Sequence, residues 1–109
     1  MDGREQAEVI LQQLGGLRKL KALVGANTFV YGLTEKKDPY LSFKIKAKSK
    51  VNIIKIVLNW RDYYDVELGR THGLNYSLVK VMNDIDCDNL IEILEKETDL
   101  CFQLSRPQA

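Results

Sequence analysis

One histidine, two cysteines and an evenly spaced run of acids are the residues of this chain best suited by type to chemistry. His72 stands in Arg70-Thr71-His72-Gly73. Nucleophilic catalysis needs a base beside a nucleophile, and a third group to orient the base. Neither Ser77 nor Cys87 nor Cys101 lies in a nucleophile elbow or a similar context. No glycine loop followed by Lys-Ser/Thr is present to cradle phosphate, and no dinucleotide fingerprint follows a strand. Two cysteines and one histidine without ligand spacing do not compose a zinc site. The reading is a non-enzymatic protein without a cofactor.

The acids match one ligand pattern. Asp84-Ile85-Asp86-Cys87-Asp88-Asn89-Leu90-Ile91-Glu92-Ile93-Leu94-Glu95 places carboxylates at positions one, three, five and twelve of a calcium loop. Hard oxygens on alternate residues of a tight loop are what calcium requires. Position six is Asn89 where the sharp turn wants glycine, and no second loop exists to pair with it. The competing reading is a helix N-terminus surrounded by Asp84, Asp86 and Asp88, where negative charge is favourable. Glu95 completes the calcium set only in the first reading.

Two binding surfaces compete with it. Lys44, Lys46 and Lys48 alternate with apolar residues, so a strand would line them up at roughly 7 Å spacing. Lys36, Lys37 and Lys50 fall at the strand ends, Tyr40 lies beside the row, and Lys55 follows on the next strand. Such a face could track a phosphate backbone and stack a base. It could equally be an edge strand guarded by lysines against aggregation. Trp60, Arg61, Asp62 and Tyr63 form a hairpin tip, with Asp65 and Glu67 just beyond. Exposed aromatics at a tip suit a protein-binding hot spot.

Net charge is +1, but residues 1–61 carry twelve Lys/Arg against five Asp/Glu, while residues 62–109 carry four against ten. The split suggests a basic surface for an anionic partner, or two halves that attract each other across one fold.

These residues need elements to hold them. At 109 residues the chain is one domain's worth, 1–109. Its 45% apolar and 28% charged content is that of a globular protein, and one core is feasible without disulfides. No apolar run is long enough to span a membrane, and no secretory h-region follows Met1, so a cytoplasmic protein is expected. Residues 1–25 read as a helical cover. Asp2 and Glu5 make a capping box for a helix striped by Ala7, Ile10, Leu11 and Leu14, ended by Gly15-Gly16. Leu17, Leu20, Leu23 and Val24 stripe a second short helix ended by Gly25. Two helices around a glycine turn suggest a helix-turn-helix, but the second is too short and too apolar, and a sheet cover fits better.

From 28 to 82 the period is two. Phe29-Tyr31-Leu33 and Leu41-Phe43-Ile45-Ala47 alternate with more polar or smaller neighbours, and Val51 to Leu58 is apolar enough for a central strand. Pairing Asn59 with Tyr63 sets Lys55 against Glu67, Val57 against Asp65 and Ile56 against Val66, which agrees on both faces. Gly69 to Gly73 reads as a turn and Leu74 to Met82 as a fifth strand. Residues 86–100 form a closing helix capped by Asp86 or Asp88, and 104–109 a loose tail. The expectation is α+β: two short N-terminal helices, an antiparallel meander of four to five strands and one C-terminal helix. An exposed strand leaves a homodimer open.

Several segments together resemble a family of small accessory proteins of bacteriophages and mobile elements. They are Ile10-Leu11-Gln12-Gln13-Leu14-Gly15-Gly16, Gly25-Ala26 with Phe29, Leu41-Ser42-Phe43-Lys44, Ile56-Val57-Leu58-Asn59, and Asp62 with Tyr63-Tyr64-Asp65-Val66-Glu67. The pattern covers about two-thirds of the chain in order, and it does not extend to the Asp-rich stretch. The resemblance brings no catalytic residues. It implies a protein that acts by binding a macromolecule in the host cell: a host or phage protein, including a nucleic-acid-processing nuclease of a defence system, or nucleic acid itself. Against a nuclease, Asp62, Asp65, Glu67 and the carboxylates from Asp84 to Asp99 would mimic DNA.

Overall fold

The computed structural model describes residues 3–46, 50–100 and 102. Three helices cover one face of a five-stranded antiparallel sheet, as an α+β chain of this pattern requires. The order along the chain is α1 (Arg4–Gln13), α2 (Leu17–Val24), β1 (Asn27–Leu33), β2 (Pro39–Lys44), β3 (Ile53–Leu58), β4 (Tyr64–His72), β5 (Asn75–Ile85) and α3 (Leu90–Thr98). The strands lie in sequence order, so every connection is a hairpin and β3 is central.

The period-two pattern decides the faces. Leu41, Phe43, Ile54, Ile56, Tyr64, Val66 and Leu68 turn toward the helices and are buried. They meet Ala7, Ile10, Leu14, Leu20, Val24, Leu90 and Leu94. Phe43 is fully buried, and its ring stacks on Phe29 at 5.4 Å. Burying one such side chain contributes about 1.5–3 kcal/mol, so this layer dominates stability. The opposite face carries Tyr40, Ser42 and Lys44 on β2, Ile53, Lys55 and Val57 on β3, and Asp65 and Glu67 on β4. Lys55 pairs with Glu67, Ile56 with Val66 and Val57 with Asp65, the register expected from matching the apolar faces.

Three local expectations are corrected. The strand expected to run to Ala47 ends at Lys44. Beyond it the Lys46 amide donates to the Val24 carbonyl at 3.0 Å, satisfying an orphan acceptor at the end of α2. The chain is thereby drawn off the sheet toward Gly25. Second, Gly69 to His72 belongs to β4, and the turn is only Gly73-Leu74, between the paired His72 and Asn75. Gly73 supplies the positive φ, 63°, that a two-residue hairpin turn needs. Gly69 has another use: a Cβ there would meet Tyr76 Oη at 2.5 Å, so its bare Cα makes room for that ring. Third, the N-cap of α1 is Gly3 at φ 82°, and Asp2 lies outside the described residues. The α3 N-cap is Asn89, with no side-chain cap bond. Asp86 serves one turn earlier, its carboxylate accepting from the Asp88 amide at 3.2 Å.

Residues 104–109 and Cys101 lie outside the described residues. No helix among the described residues is long and apolar enough to cross a membrane.

Candidate functional site

The β3–β4 hairpin tip is organised by one buried amide. Asn59 is 7% exposed. Its backbone N–H donates to the Tyr63 carbonyl at 2.9 Å, and its carbonyl accepts from Asp62 at 3.0 Å. Its side-chain oxygen accepts from the Arg61 and Tyr63 amides at 2.9 and 3.1 Å. Its Nδ2 donates to Asp65 at 3.1 Å and to Asp84 at 3.0 Å. Asp65 also accepts from the Asp84 amide at 2.9 Å, and Arg61 pairs with Asp84 at 3.1 Å. An amide does this because it offers both donors and acceptors, which neither a carboxylate nor an alcohol can match here. Asp62 and Asp84 hold left-handed φ values of 64° and 56° inside this network.

The tip so fixed presents Trp60, 82% exposed. Tyr63 is partly exposed, with the Arg61 guanidinium 5.7 Å from its ring centroid. Asp62 is exposed between them. The structure therefore brings Trp60, Arg61, Asp62 and Tyr63 together on one projection. Asp65 lies inside the network. Glu67 belongs to the open sheet face, where it meets Lys55 at 3.9 Å.

The hairpins sort charge by the two ends of the sheet. The β1–β2 turn, the β3–β4 tip and the β5–α3 connection share one end. There 34–38, 59–63 and 84–89 carry Glu35, Asp38, Asp62, Asp84, Asp86 and Asp88 against Lys36, Lys37 and Arg61. The β2–β3 and β4–β5 connections share the other end. There the described residues 44–46, 50–53 and 69–78 carry Lys44, Lys46, Lys50 and Arg70 and no Asp or Glu. The expected lysine row is divided accordingly. Lys36 and Lys37 lie at the Trp60 end, and Lys48 lies outside the described residues. Lys46 lays its stem over Gly25, where a Cβ would meet three of its carbons within 2.9 Å. Lys44 stays on the open face opposite Ile53. Lys55 lies 4.6 Å from the Tyr40 ring centroid and beside Glu67, so its charge is already partly answered.

The acid run does not close into one cage. The ligand atoms of Asp86, Cys87 and Asp88 lie within 4.8 Å of one another, all exposed. Asp84 is the penultimate residue of β5, with its carboxylate on Asn59 and Arg61. Glu95 accepts from the Phe102 amide at 2.8 Å. The Cys87 thiol is pushed up from its ordinary range, first by desolvation and then by Asp86 and Asp88, which favours the less nucleophilic protonated form. His72 stands exposed at the far end of β4, opposite Asn75, while Cys87 lies at the Trp60 end. The tyrosine hydroxyls of Tyr64 and Tyr76 are pushed up, mainly by burial; Cys87 adds to the first and Glu67 to the second.

Asn59 organises the tip, and sequence reasoning did not nominate it. Asn59 carried one usable signal, an amide immediately before an aromatic turn. Comparison with known proteins finds no match among family models, curated proteins or solved structures.

Proposed function

We propose that this protein acts by binding rather than catalysis, as an accessory protein of the phage or mobile-element kind, and that it docks a partner protein through the β3–β4 tip. The observation that carries the reading is Trp60, 82% exposed on a tip held rigid by a buried side chain. Covering a large aromatic on association removes apolar area from water and favours binding. Trp, Tyr and Arg are the residues that dominate interface energies, and here they are adjacent. A fixed backbone lowers the ordering cost of association. A pocketed surface on a host or defence protein is the partner this projection suits. Asp62 adds one carboxylate to the tip. Asp65 and Asp84 are bound into the network, so DNA mimicry would fall mainly to Glu67 and α3.

The test compares tagged wild type with Trp60→Ala, each used to capture proteins from nuclease-treated bacterial lysate. A protein retained by the wild type and lost with Trp60→Ala, at unchanged melting temperature, supports the reading. Identical captures from both, or no specific protein from either, overturn it.

A further inference from the structure

The end of the sheet remote from Trp60 has its own chemistry. On the open face, Ser42, Ile53, Lys55, Glu67 and Tyr76 line a depression of about 180 Å³. Ile53 and Lys55 are neighbours on β3, Ser42 lies opposite Lys55, and Lys44 lies opposite Ile53 at the mouth. Tyr76 forms one wall. Its ring edge lies over Gly69, whose missing Cβ lets the ring settle on the sheet, yet the residue stays 52% exposed. A flat aromatic presented to solvent at a polar depression is a stacking platform. Ser42, Lys55 and Glu67 offer a hydroxyl, a cation and an acceptor at its rim, the kinds of group that hydrogen-bond a base edge.

The surroundings supply the second half. Lys44, Lys46 and Lys50 are exposed around the β2–β3 connection, and there is no Asp or Glu in 44–46, 50–53 or 69–78. Lys44 and the Tyr76 ring share the open face: Lys44 pairs with Ile53, Ile53 with Gly69, and the Tyr76 ring lies over Gly69. Basic groups around an aromatic platform complement a chain that alternates phosphate with planar rings, and the acid at the rim, Glu67, is answered by Lys55 at 3.9 Å. We propose that this end of the sheet binds single-stranded nucleic acid, with a base stacked on Tyr76 and phosphates on Lys44, Lys46 and Lys50. A base already unpaired can reach the platform without melting a duplex. The site is independent of the Trp60 tip, so the chain would present a protein-binding end and a nucleic-acid-binding end.

The test is fluorescence anisotropy of a labelled 20-nucleotide DNA strand, with the duplex of the same sequence alongside. Three phosphate contacts on a single strand give a salt slope of about −2.1, so affinity falls about 20-fold from 50 to 200 mM salt. The double variant Lys44→Gln/Lys50→Gln is expected to cut the slope by about two-thirds and weaken binding at 50 mM salt. Tyr76→Ala weakens binding roughly tenfold or more at unchanged slope, as loss of one stacked base would. Tyr76→Phe restores it. Lys36→Gln/Lys37→Gln, at the Trp60 end, leaves affinity within about twofold. Circular dichroism checks that each variant is folded. No binding at 50 mM salt overturns the proposal. So does affinity indifferent to Tyr76→Ala, equal affinity for the duplex, or a loss with Lys36→Gln/Lys37→Gln as large as that with Lys44→Gln/Lys50→Gln.

Discussion

The Asn59 side chain donates to the Asp84 carboxylate at 3.0 Å across 25 positions of sequence. That bond ties the β3–β4 tip to the end of β5, an edge strand, and it sets where Trp60 projects.

Asn59→Ala removes the shared centre of this network. The amides of Arg61 and Tyr63 lose their acceptor, and Asp65 and Asp84 face each other with one donor fewer. Unsatisfied groups at a buried site cost about 1–3 kcal/mol each when water cannot fully replace the partner. A total loss of about 2–4 kcal/mol is expected in urea unfolding at neutral pH. Asn59→Asp is also expected to destabilise, since it sets a third carboxylate against two, and it should recover partly in acid as the repulsion is neutralised. A loss below about 1 kcal/mol for Asn59→Ala would show that the tip is held by its backbone alone.

Arg61→Ala tests the exposed arm of the same network. Its ion pair with Asp84 is 3.1 Å long but about half exposed on both sides. Pairs of that kind are worth about 0.2–1 kcal/mol and are screened by salt. The expected loss is therefore under about 1 kcal/mol and shrinks as sodium chloride is raised. The contrast with Asn59→Ala separates burial from charge as the source of rigidity. The Tyr63 ring also loses its cation, so tyrosine fluorescence should change even where stability barely does.

Gly3→Ala and Gly25→Ala share a backbone problem and differ in their surroundings. Both glycines are left-handed, at φ 82° and 64°, where a Cβ costs about 1–2 kcal/mol. At Gly25 the new methyl meets the Lys46 stem, which can swing away. At Gly3 it meets the Gly32 carbonyl oxygen at 2.8 Å, and backbone in a strand cannot yield so cheaply. Gly3→Ala should therefore be the more destabilising, and hydrogen exchange should locate its effect at the start of α1.

Fold and site differed in how far the sequence revealed them. Apolar alternation fixed β3 against β4 to the residue, because sliding by one place would have turned Ile54, Ile56, Val66 and Leu68 to the solvent. The α+β layering and the order of helices and strands followed from the same periodicities. Glycine was the ambiguous sign. Gly69 and Gly73 look alike in sequence, yet one receives a tyrosine ring within a strand and the other turns the chain. The end of β2 was illegible for a different reason: the group that diverts Lys46 is the Val24 carbonyl, 22 residues earlier, and tertiary bonds leave no local pattern. The tip aromatics were legible by type. Asn59 was not, because its partners Asp65 and Asp84 converge only when three strands align.

Tyr64 gives the fold a sensitivity to alkali. Its ring is 4% exposed in the core layer, and its hydroxyl is pushed above the ordinary value of 10.0 by desolvation first and Cys87 second. In the unfolded chain the same hydroxyl ionises at its ordinary value, so above pH 10 the folded state holds the proton that the unfolded state has lost. Folding stability from this group is fully present below pH 10 and is lost as pH rises through the folded-state value. Tyr64→Phe has no proton to lose and should flatten the fall of stability between about pH 10 and 12, as read from urea midpoints. Lysines titrate in the same range in both proteins, so the difference between the two curves isolates Tyr64. Tyr76→Phe is the comparison that calibrates it: Tyr76 is raised as well, by desolvation and then Glu67, but it is half exposed and should alter the curve much less. Cys87→Ser should lower the folded-state value of Tyr64 by removing the thiolate beside it, moving the alkaline loss toward Tyr64→Phe. Superimposable curves for wild type and Tyr64→Phe would mean that the hydroxyl reaches water in the folded state.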